Sequence, residues 1–308
     1  MDCRNFVNEV CQCEPGMELE KIFQLHESLL EKYLPIEGLP HWPINVNKRE
    51  AQIILKDMSA RVIEELGEGY ESTTYVLEML DKKGFNFNRW EREDYRQLLN
   101  HLQNSNEEQA DAIAFFVNLL FYSNITVEDV KDYLIAKGLN KMYLIAKGAK
   151  GLNQVIDDTI PKEDMYTDFI MIVGLGILQN RFEDATENQH TWDIFNRDLF
   201  DQFGIKDYDK VASYTPAFHK ISWESHDIEA KMCWELSYHL SVARNYLKNK
   251  PWKQTGEMTD EQRYQEEVVI AFLELLGYFR YIGFTADSLL QLRYKKHLVC
   301  EFRIKSKY

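Results

Sequence analysis

Two short acidic motifs give the sequence its clearest chemical signal. Glu65 precedes Glu68 by three residues, and Glu108 precedes Asp111 by the same spacing. Residues three apart on a helix lie one above the other, so each pair presents two carboxylates from one face. If the two helices pack together, the four carboxylates converge, and like charges in a partly buried groove need a counter-charge. A divalent cation would supply it, and an all-oxygen ligand set favours Mg²⁺ or Mn²⁺ over zinc.

A solvated acidic surface is the competing interpretation, because a single pair of this kind is common on exposed helices. The second pair argues against it. Asp111 runs directly into an apolar segment, 112–121, that is too hydrophobic to be exposed on all sides. An aspartate at the mouth of a buried helix requires a partner or an ion. The sequence therefore predicts a metal site with four ligands: Glu65, Glu68, Glu108 and Asp111.

The composition is that of an acidic globular protein. The chain has 308 residues, of which 45% are hydrophobic and 13% aromatic, and its net charge is −14. That length suits one large or two ordinary domains. The negative charge argues against a nucleic-acid partner, since phosphate neutralisation requires clustered Lys and Arg. No apolar run is long enough to span a membrane, and the N-terminus lacks a signal-peptide pattern, so we expect a cytosolic protein with no membrane partner.

Helical periodicity dominates the chain, and no convincing alternation of the kind typical of strands is present. Apolar residues recur at helical spacing over 18–33, 47–80, 228–247 and 262–282, and Thr126 and Thr285 are placed to cap helices. The polar segment 86–106 predicts a short helix followed by a turn into the second acidic pair. The predicted fold class is all-α, a helical bundle.

The second half of the chain repeats the first. The segment 107–113 aligns with 266–272, and the same offset, without gaps, aligns Thr126 with Thr285 and Lys137 with Lys296. A repeat of this length indicates two related helical modules.

The second copy retains only half of the acidic set. Glu235 aligns with Glu65, but Tyr238 stands in place of Glu68 and Ile270 in place of Asp111. Two acids bind Mg²⁺ poorly. We therefore expect a first module over 1–150 that carries the metal site, a connecting segment over 151–226 and a degenerate second module over 227–308. Four basic residues are candidates for phosphate contact or, equally, for helix-end charges on a solvated face: Lys250, Lys253, Lys296 and Arg303.

The paired motifs resemble the all-α nucleoside triphosphate pyrophosphohydrolases, the superfamily that contains MazG proteins and dimeric dUTPases. In the first half, over about residues 50–140, the resemblance rests on Glu64-Glu65-x-x-Glu68 followed by Glu108-x-x-Asp111. In the second half, over 227–308, it rests on the turn Pro251-Trp252-Lys253 followed by Lys296, Arg303 and Tyr308. Three positions depart from the family pattern: Tyr238, Ile270 and Cys300.

The resemblance implies a helical bundle that binds Mg²⁺ through the four acids and cleaves a nucleotide between its α and β phosphates. Glu64 would be an alternative ligand or the base that orients water, so the implied catalytic residues are Glu64 and Glu65. Residues for phosphate or base contact are drawn from both halves of the chain: Asn118, Lys137, Trp252, Lys253, Lys296 and Arg303.

The leading hypothesis is a Mg²⁺-dependent deoxynucleoside triphosphate pyrophosphohydrolase that acts on a pyrimidine substrate such as dUTP, dCTP or dTTP. One alternative is a non-catalytic nucleotide-binding or interaction module that keeps the acids only for binding. Another is a phage-type enzyme that applies the same chemistry to pyrophosphorylated thymine in DNA, against which the net charge of −14 counts. Duplication lets one chain mimic a family dimer, and further self-association into a homo-oligomer is expected of bundles that expose apolar faces.

Overall fold

The computed structural model describes residues 18–84, 90–133, 223–248, 258–282, 284 and 286–306. Over these residues there is no strand, which confirms the all-α class. Six long helices follow one another among the described residues: α1 (Glu18–Glu37), α2 (Arg49–Lys83), α3 (Arg92–Tyr122), α4 (Trp223–Tyr246), α5 (Glu261–Tyr281) and α6 (Ala286–Ser306). They belong to one compact unit, whereas the described segment that starts at Thr126 belongs to a second.

Two antiparallel helix pairs form the frame of the first unit. α2 packs along α3, with Asn104 Nδ2 donating a hydrogen bond to Ser72 Oγ at 3.1 Å. α4 packs along α5 in the same way, and His239 Nδ1 lies 2.8 Å from a Glu267 oxygen across that interface. The α2/α3 pair carries both acidic motifs found in the sequence.

α3 is the central helix, because it packs against α1, α2, α5 and α6. Ile113, Phe116 and Val117 are fully buried, and the Phe116 ring lies 5.2 Å from the ring of Phe272 on α5. Burial of each such side chain contributes about 1.5–3 kcal/mol of hydrophobic stabilisation. The prediction that the segment after Asp111 is buried is therefore confirmed.

α6 brings basic residues to the side of α3 that carries Asp111. It runs alongside α1, where Lys32 donates a hydrogen bond to Glu301, and it also packs against α3. The two contacts fix the rotation of α6 about its axis. As a result Arg293 and Lys296, three residues apart on one helical face, both point towards the core of the unit.

The short helix and turn predicted over 86–106 are wrong, because α3 runs unbroken from Arg92 to Tyr122. A capping box closes its start, with the Glu91 and Asp94 side chains each accepting from the other's backbone N–H. The polar residues that follow are held by α2, as in the contact of Ser105 Oγ with Thr73 Oγ1 at 3.4 Å. Contacts between helices thus overrode weak local propensity.

The other helices agree with the periodicity to within a few residues. α1 extends past the expected end at residue 33 and includes Pro35 in its last turn before Gly38, whose φ is 65°. The cap predicted at Thr126 is confirmed, since the Asp129 backbone N–H donates to Thr126 Oγ1 at 3.2 Å. Thr285 lies outside the described residues. Of the described helices, none taken singly combines the length and apolarity that a membrane crossing requires.

Candidate metal centre

Three of the four predicted ligands meet between α2 and α3. Glu65 and Glu68 on α2 and Glu108 on α3 each place one carboxylate oxygen within 4.8 Å of the other two. Glu65 and Glu108 are partly buried, while Glu68 is exposed. Solvent can therefore reach the cluster from one side, while the helices enclose the other.

A glycine next to the cluster lets the two helices approach closely. Gly69 lies one residue after Glu68, and a Cβ atom at that position would lie 2.7 Å from Gln109 Nε2. The Gln109 side chain crosses this gap and donates from Nε2 to the Tyr278 hydroxyl on α5 at 3.0 Å. At Gly67, by contrast, an added Cβ would meet nothing within 4 Å. The close approach is therefore local to the turn of α2 that carries the acids.

The carboxylates perturb one another strongly. Partial burial, the hydrogen bond with Glu108 and the charges of Asp111, Glu108 and Glu68 raise the pKa of Glu65 to about 8. Burial also raises the pKa of Glu108, although its bond to Glu65 and the nearby Lys296 act in the opposite direction. At neutral pH, and without a cation, Glu65 holds a proton that it donates to Glu108. The negative charge of the cluster is thus not fully balanced by nearby basic groups.

Asp111 is paired with a cation from the last helix. Lys296 Nζ lies 2.6 Å from Asp111 Oδ2, and the two side chains are 17% and 24% exposed. Asp111 remains close enough to raise the pKa of both Glu65 and Glu108. The fourth acid therefore borders the cluster, and Lys296 partly offsets its charge.

The donor set suits a hard divalent cation. All three converging ligands are carboxylate oxygens, which Mg²⁺ and Mn²⁺ prefer. Oxygens about 2.1 Å from an octahedral ion lie about 3–4 Å from one another, so side-chain rotations would bring the present 4.8 Å separation into range. A cation would also replace the proton that Glu65 and Glu108 share. The residues present fit Mg²⁺ with water completing the shell on the exposed side.

The remaining predicted site residues fall into three groups. Glu64 and Arg303 are described and exposed: Glu64 directly precedes Glu65 on α2, and Arg303 lies two turns beyond Lys296 on α6. Asn118 is 9% exposed and is hydrogen-bonded to His26 on α1. The others lie outside the described residues: Lys137, Lys250, Trp252 and Lys253.

The α4/α5 pair does not assemble an equivalent cluster from its aligned residues. Glu267 contacts His239 at 2.8 Å, and Glu235 faces Lys231 at 3.8 Å on its own helix. Tyr238 is 55% exposed, and Ile270 is partly buried. Each of the two retained acids therefore has a basic or ionisable neighbour. Partial burial and the charge of Glu235 also raise the pKa of Glu274, a further acid on α5.

Two contributors to the site were missed at the level of sequence. Gly69 could have been identified, because a glycine inside a strongly periodic helix often marks close packing. The pairing of Lys296 with Asp111 had no local signal, since it joins residues far apart in the chain. Lys296, a candidate for phosphate contact, lies on a predicted metal ligand.

Comparison with known proteins gives no family for this chain. It matches no family model, no curated protein and no solved structure. The resemblance to the all-α pyrophosphohydrolases therefore stays a prediction that rests on the residues of the two acidic motifs and of the second half.

Proposed function

We propose that the protein is a Mg²⁺-dependent deoxynucleoside triphosphate pyrophosphohydrolase whose active site lies between α2 and α3. One observation carries the proposal: Glu65, Glu68 and Glu108 converge within 4.8 Å, beside Asp111. A carboxylate with a pKa raised to about 8 marks a place where negative charge has been concentrated at a cost to stability. Such a place is suited to a cation and to the phosphates that the cation would bind.

The residues around the cluster provide the remaining functions of a phosphoryl-transfer site. When bound, Mg²⁺ would neutralise phosphate oxygens and lower the pKa of a bound water. Glu64 or Glu65 would accept the proton of the attacking water. Lys296, which pairs with Asp111 at 2.6 Å, would offset charge on the departing pyrophosphate. The products would be a deoxynucleoside monophosphate and pyrophosphate.

The proposal includes two related modules of which the first is catalytic. The α2/α3 pair lies in the predicted first module, and the α4/α5 pair lies in the predicted second. Each pair is antiparallel, and the acids that align between them meet different partners. This division supports one active site per chain, in an enzyme that acts on the nucleotide pool of the cytosol.

A substrate panel tests the proposal. The purified protein is incubated with each dNTP and Mg²⁺, and the products are identified by chromatography. The expected result is monophosphate and pyrophosphate from a pyrimidine dNTP, with activity lost on chelation of the metal. Absence of both products across the panel would overturn the proposal. Nucleotide binding without turnover would favour a non-catalytic module, and pyrophosphate release only from modified DNA would favour the thymine-directed enzyme.

A further inference from the structure

A buried polar chain connects α1, α3 and α6 beyond the acidic cluster. His26 lies between Asn118 and Arg293: its Nε2 is 2.7 Å from Asn118 Oδ1, and its Nδ1 is 2.7 Å from Arg293 Nη2. The three side chains are 4%, 9% and 2% exposed for His26, Asn118 and Arg293 respectively. The chemistry proposed above gives no role to His26 or Arg293.

The hydrogen bonds in this chain have a defined direction. A guanidinium group has only donors, so Arg293 donates to His26 Nδ1. The neutral imidazole then carries its proton on Nε2, which donates to Asn118 Oδ1. Burial and the adjacent charge of Arg293 lower the pKa of His26 to about 3, so the ring is neutral near pH 7. The chain therefore donates in sequence from α6 through α1 to α3.

This direction decides what Asn118 can offer to a ligand. An unconstrained asparagine side chain can rotate to present either its oxygen or its nitrogen, and so can pair with an amino or a carbonyl group. Here the bond from His26 fixes the amide with its oxygen turned towards α1. The group on the side away from His26 is the amide nitrogen, which only donates.

Asn118 is placed to reach the base of a nucleotide whose phosphates lie at the acidic cluster. It follows Asp111 by seven residues on α3, so the two side chains share a face and are about 10 Å apart along the helix axis. A nucleoside spans a comparable distance between its 5′ oxygen and its base edge. One turn further along, the ring of Phe121 is stacked on Trp42 at 5.5 Å, which provides an aromatic surface beside Asn118.

Arg293 is poorly suited to a purely structural role. Its Nε and Nη1 are buried and have no hydrogen-bond partner among the described residues. Burial lowers the pKa of Arg293, which shows that its surroundings disfavour the charge. Its bond to His26 and the nearby charge of Asp111 offset this penalty only in part, since the pKa stays lowered. An apolar side chain of similar length would avoid the penalty altogether, so stability alone does not account for the guanidinium.

We propose that Arg293 and His26 are positioning residues that hold Asn118 as a hydrogen-bond donor, and that Asn118 reads the 4-oxo group of uracil or thymine. The inference rests on the proposed function, because it places the nucleotide phosphates at the acidic cluster. Cytosine carries an amino group at the same position, and its N–H groups would face those of Asn118. The structure thus selects dUTP and dTTP over dCTP.

Binding of non-hydrolysable analogues tests the inference without relying on turnover. Affinities for α,β-imido dUTP and α,β-imido dCTP are measured by calorimetry in Mg²⁺ for the wild type, Arg293→Met, Arg293→Lys and Lys305→Met. Lys305 is an exposed residue on the same helix and is the matched control. The wild type and Lys305→Met should favour the dUTP analogue roughly tenfold or more, since a mismatched donor leaves buried N–H groups unpaired. Arg293→Met should abolish this preference, and Arg293→Lys, which keeps a donor, should restore part of it.

The tautomer of His26 provides a second readout that needs no variant. Nitrogen-15 NMR of the wild type should show a neutral ring protonated at Nε2 with Nδ1 as an acceptor. Equal affinity for the two analogues in the wild type, a preference that survives Arg293→Met, or an Nδ1–H tautomer would each overturn the inference. A protein that binds the dUTP analogue selectively but hydrolyses no dNTP would contradict the proposed function and leave the inference standing. Turnover of all pyrimidine dNTPs with equal affinity would support the proposed function and overturn the inference.

Discussion

The α2/α3 and α4/α5 pairs have the same antiparallel arrangement, but the acidic residues that align between them have different neighbours. In α2/α3, Glu65 and Glu108 face each other, share a proton and lie near Asp111. In α4/α5, the residue aligned with Glu108 is Glu267, and it contacts His239 at 2.8 Å. In α4/α5 the charge of Glu235 also acts on Glu274, whose pKa it raises together with partial burial. Among the described residues, the first arrangement alone places three carboxylate oxygens within 4.8 Å of one another, close enough to share one cation.

The largest expected difference between the pairs is in catalysis. Glu108→Gln should reduce dNTP hydrolysis by at least about a hundredfold, because loss of a metal ligand removes several kcal/mol of transition-state stabilisation. The matched change in the second pair, Glu267→Gln, should leave kcat within about twofold of the wild type if the contribution of α4/α5 is structural. Steady-state kinetics at saturating Mg²⁺ measures both. Equal losses in the two variants would show that the pairs do not differ in function.

Metal affinity at the α2/α3 cluster should depend on pH. A cation at Glu65 must displace the proton, and the pKa of Glu65 in the metal-free protein is raised to about 8. The apparent affinity for Mn²⁺ should therefore rise about tenfold per pH unit below pH 8 and level off above it. Calorimetry in buffers of different ionisation enthalpy should detect release of about one proton per ion near pH 7. An affinity that is flat between pH 6 and 8 would contradict the shared proton.

The close approach of α2 to α3 can be tested with two neighbouring glycines. Gly69→Ala should destabilise the protein by about 1–2 kcal/mol, because the new methyl group displaces Gln109 from its bond to Tyr278. Gly67→Ala, on the same helix but with open space around it, should stabilise it by about 0.5–1 kcal/mol. Urea unfolding in the absence of metal gives both values. The same sign for both substitutions would remove the role assigned to Gly69.

The shared proton should also affect the stability of the metal-free protein. Unfolded Glu65 releases its proton near the ordinary pKa of 4.5, whereas the folded protein keeps it to about pH 8. The stabilisation from protonation is thus complete below pH 4.5 and is lost as the pH rises towards 8. Glu65→Gln, whose amide still donates to Glu108, should remove this slope and unfold at higher temperature than the wild type at pH 8. Thermal unfolding in EDTA at pH 5 and 8 measures the change, and a steeper slope in Glu65→Gln would contradict it.

Spacing was sufficient to identify the cluster but not its surroundings. Glu65, Glu68 and Glu108 could be predicted to converge because helical geometry fixes which residues share a face, and the apolar run after Asp111 required burial. The contact of Lys296 with Asp111 depends instead on the rotation that α6 adopts when it packs against α1 and α3. No local pattern encodes that rotation.

The same limit applies to the polar residues of α1 and α3. His26 occupies a buried position on α1, and periodicity alone does not reveal that its partners are Asn118 and Arg293. The predicted turn before the second acidic pair failed for a related reason: contacts with α2, such as Asn104 to Ser72, hold a polar sequence in a helix. Sequence patterns thus specified the acids and the apolar faces, while the polar contacts between distant helices required the assembled fold.

We propose that α2/α3 binds a divalent cation and that α4/α5 does not. Titration of Mn²⁺ into the protein at pH 8, followed by electron paramagnetic resonance, tests it directly in the wild type, Glu108→Gln and Glu267→Gln. The expected result is one bound Mn²⁺ per chain that Mg²⁺ displaces, that is lost in Glu108→Gln and that is retained in Glu267→Gln. No bound Mn²⁺ in the wild type, or binding that survives Glu108→Gln and disappears in Glu267→Gln, would contradict it.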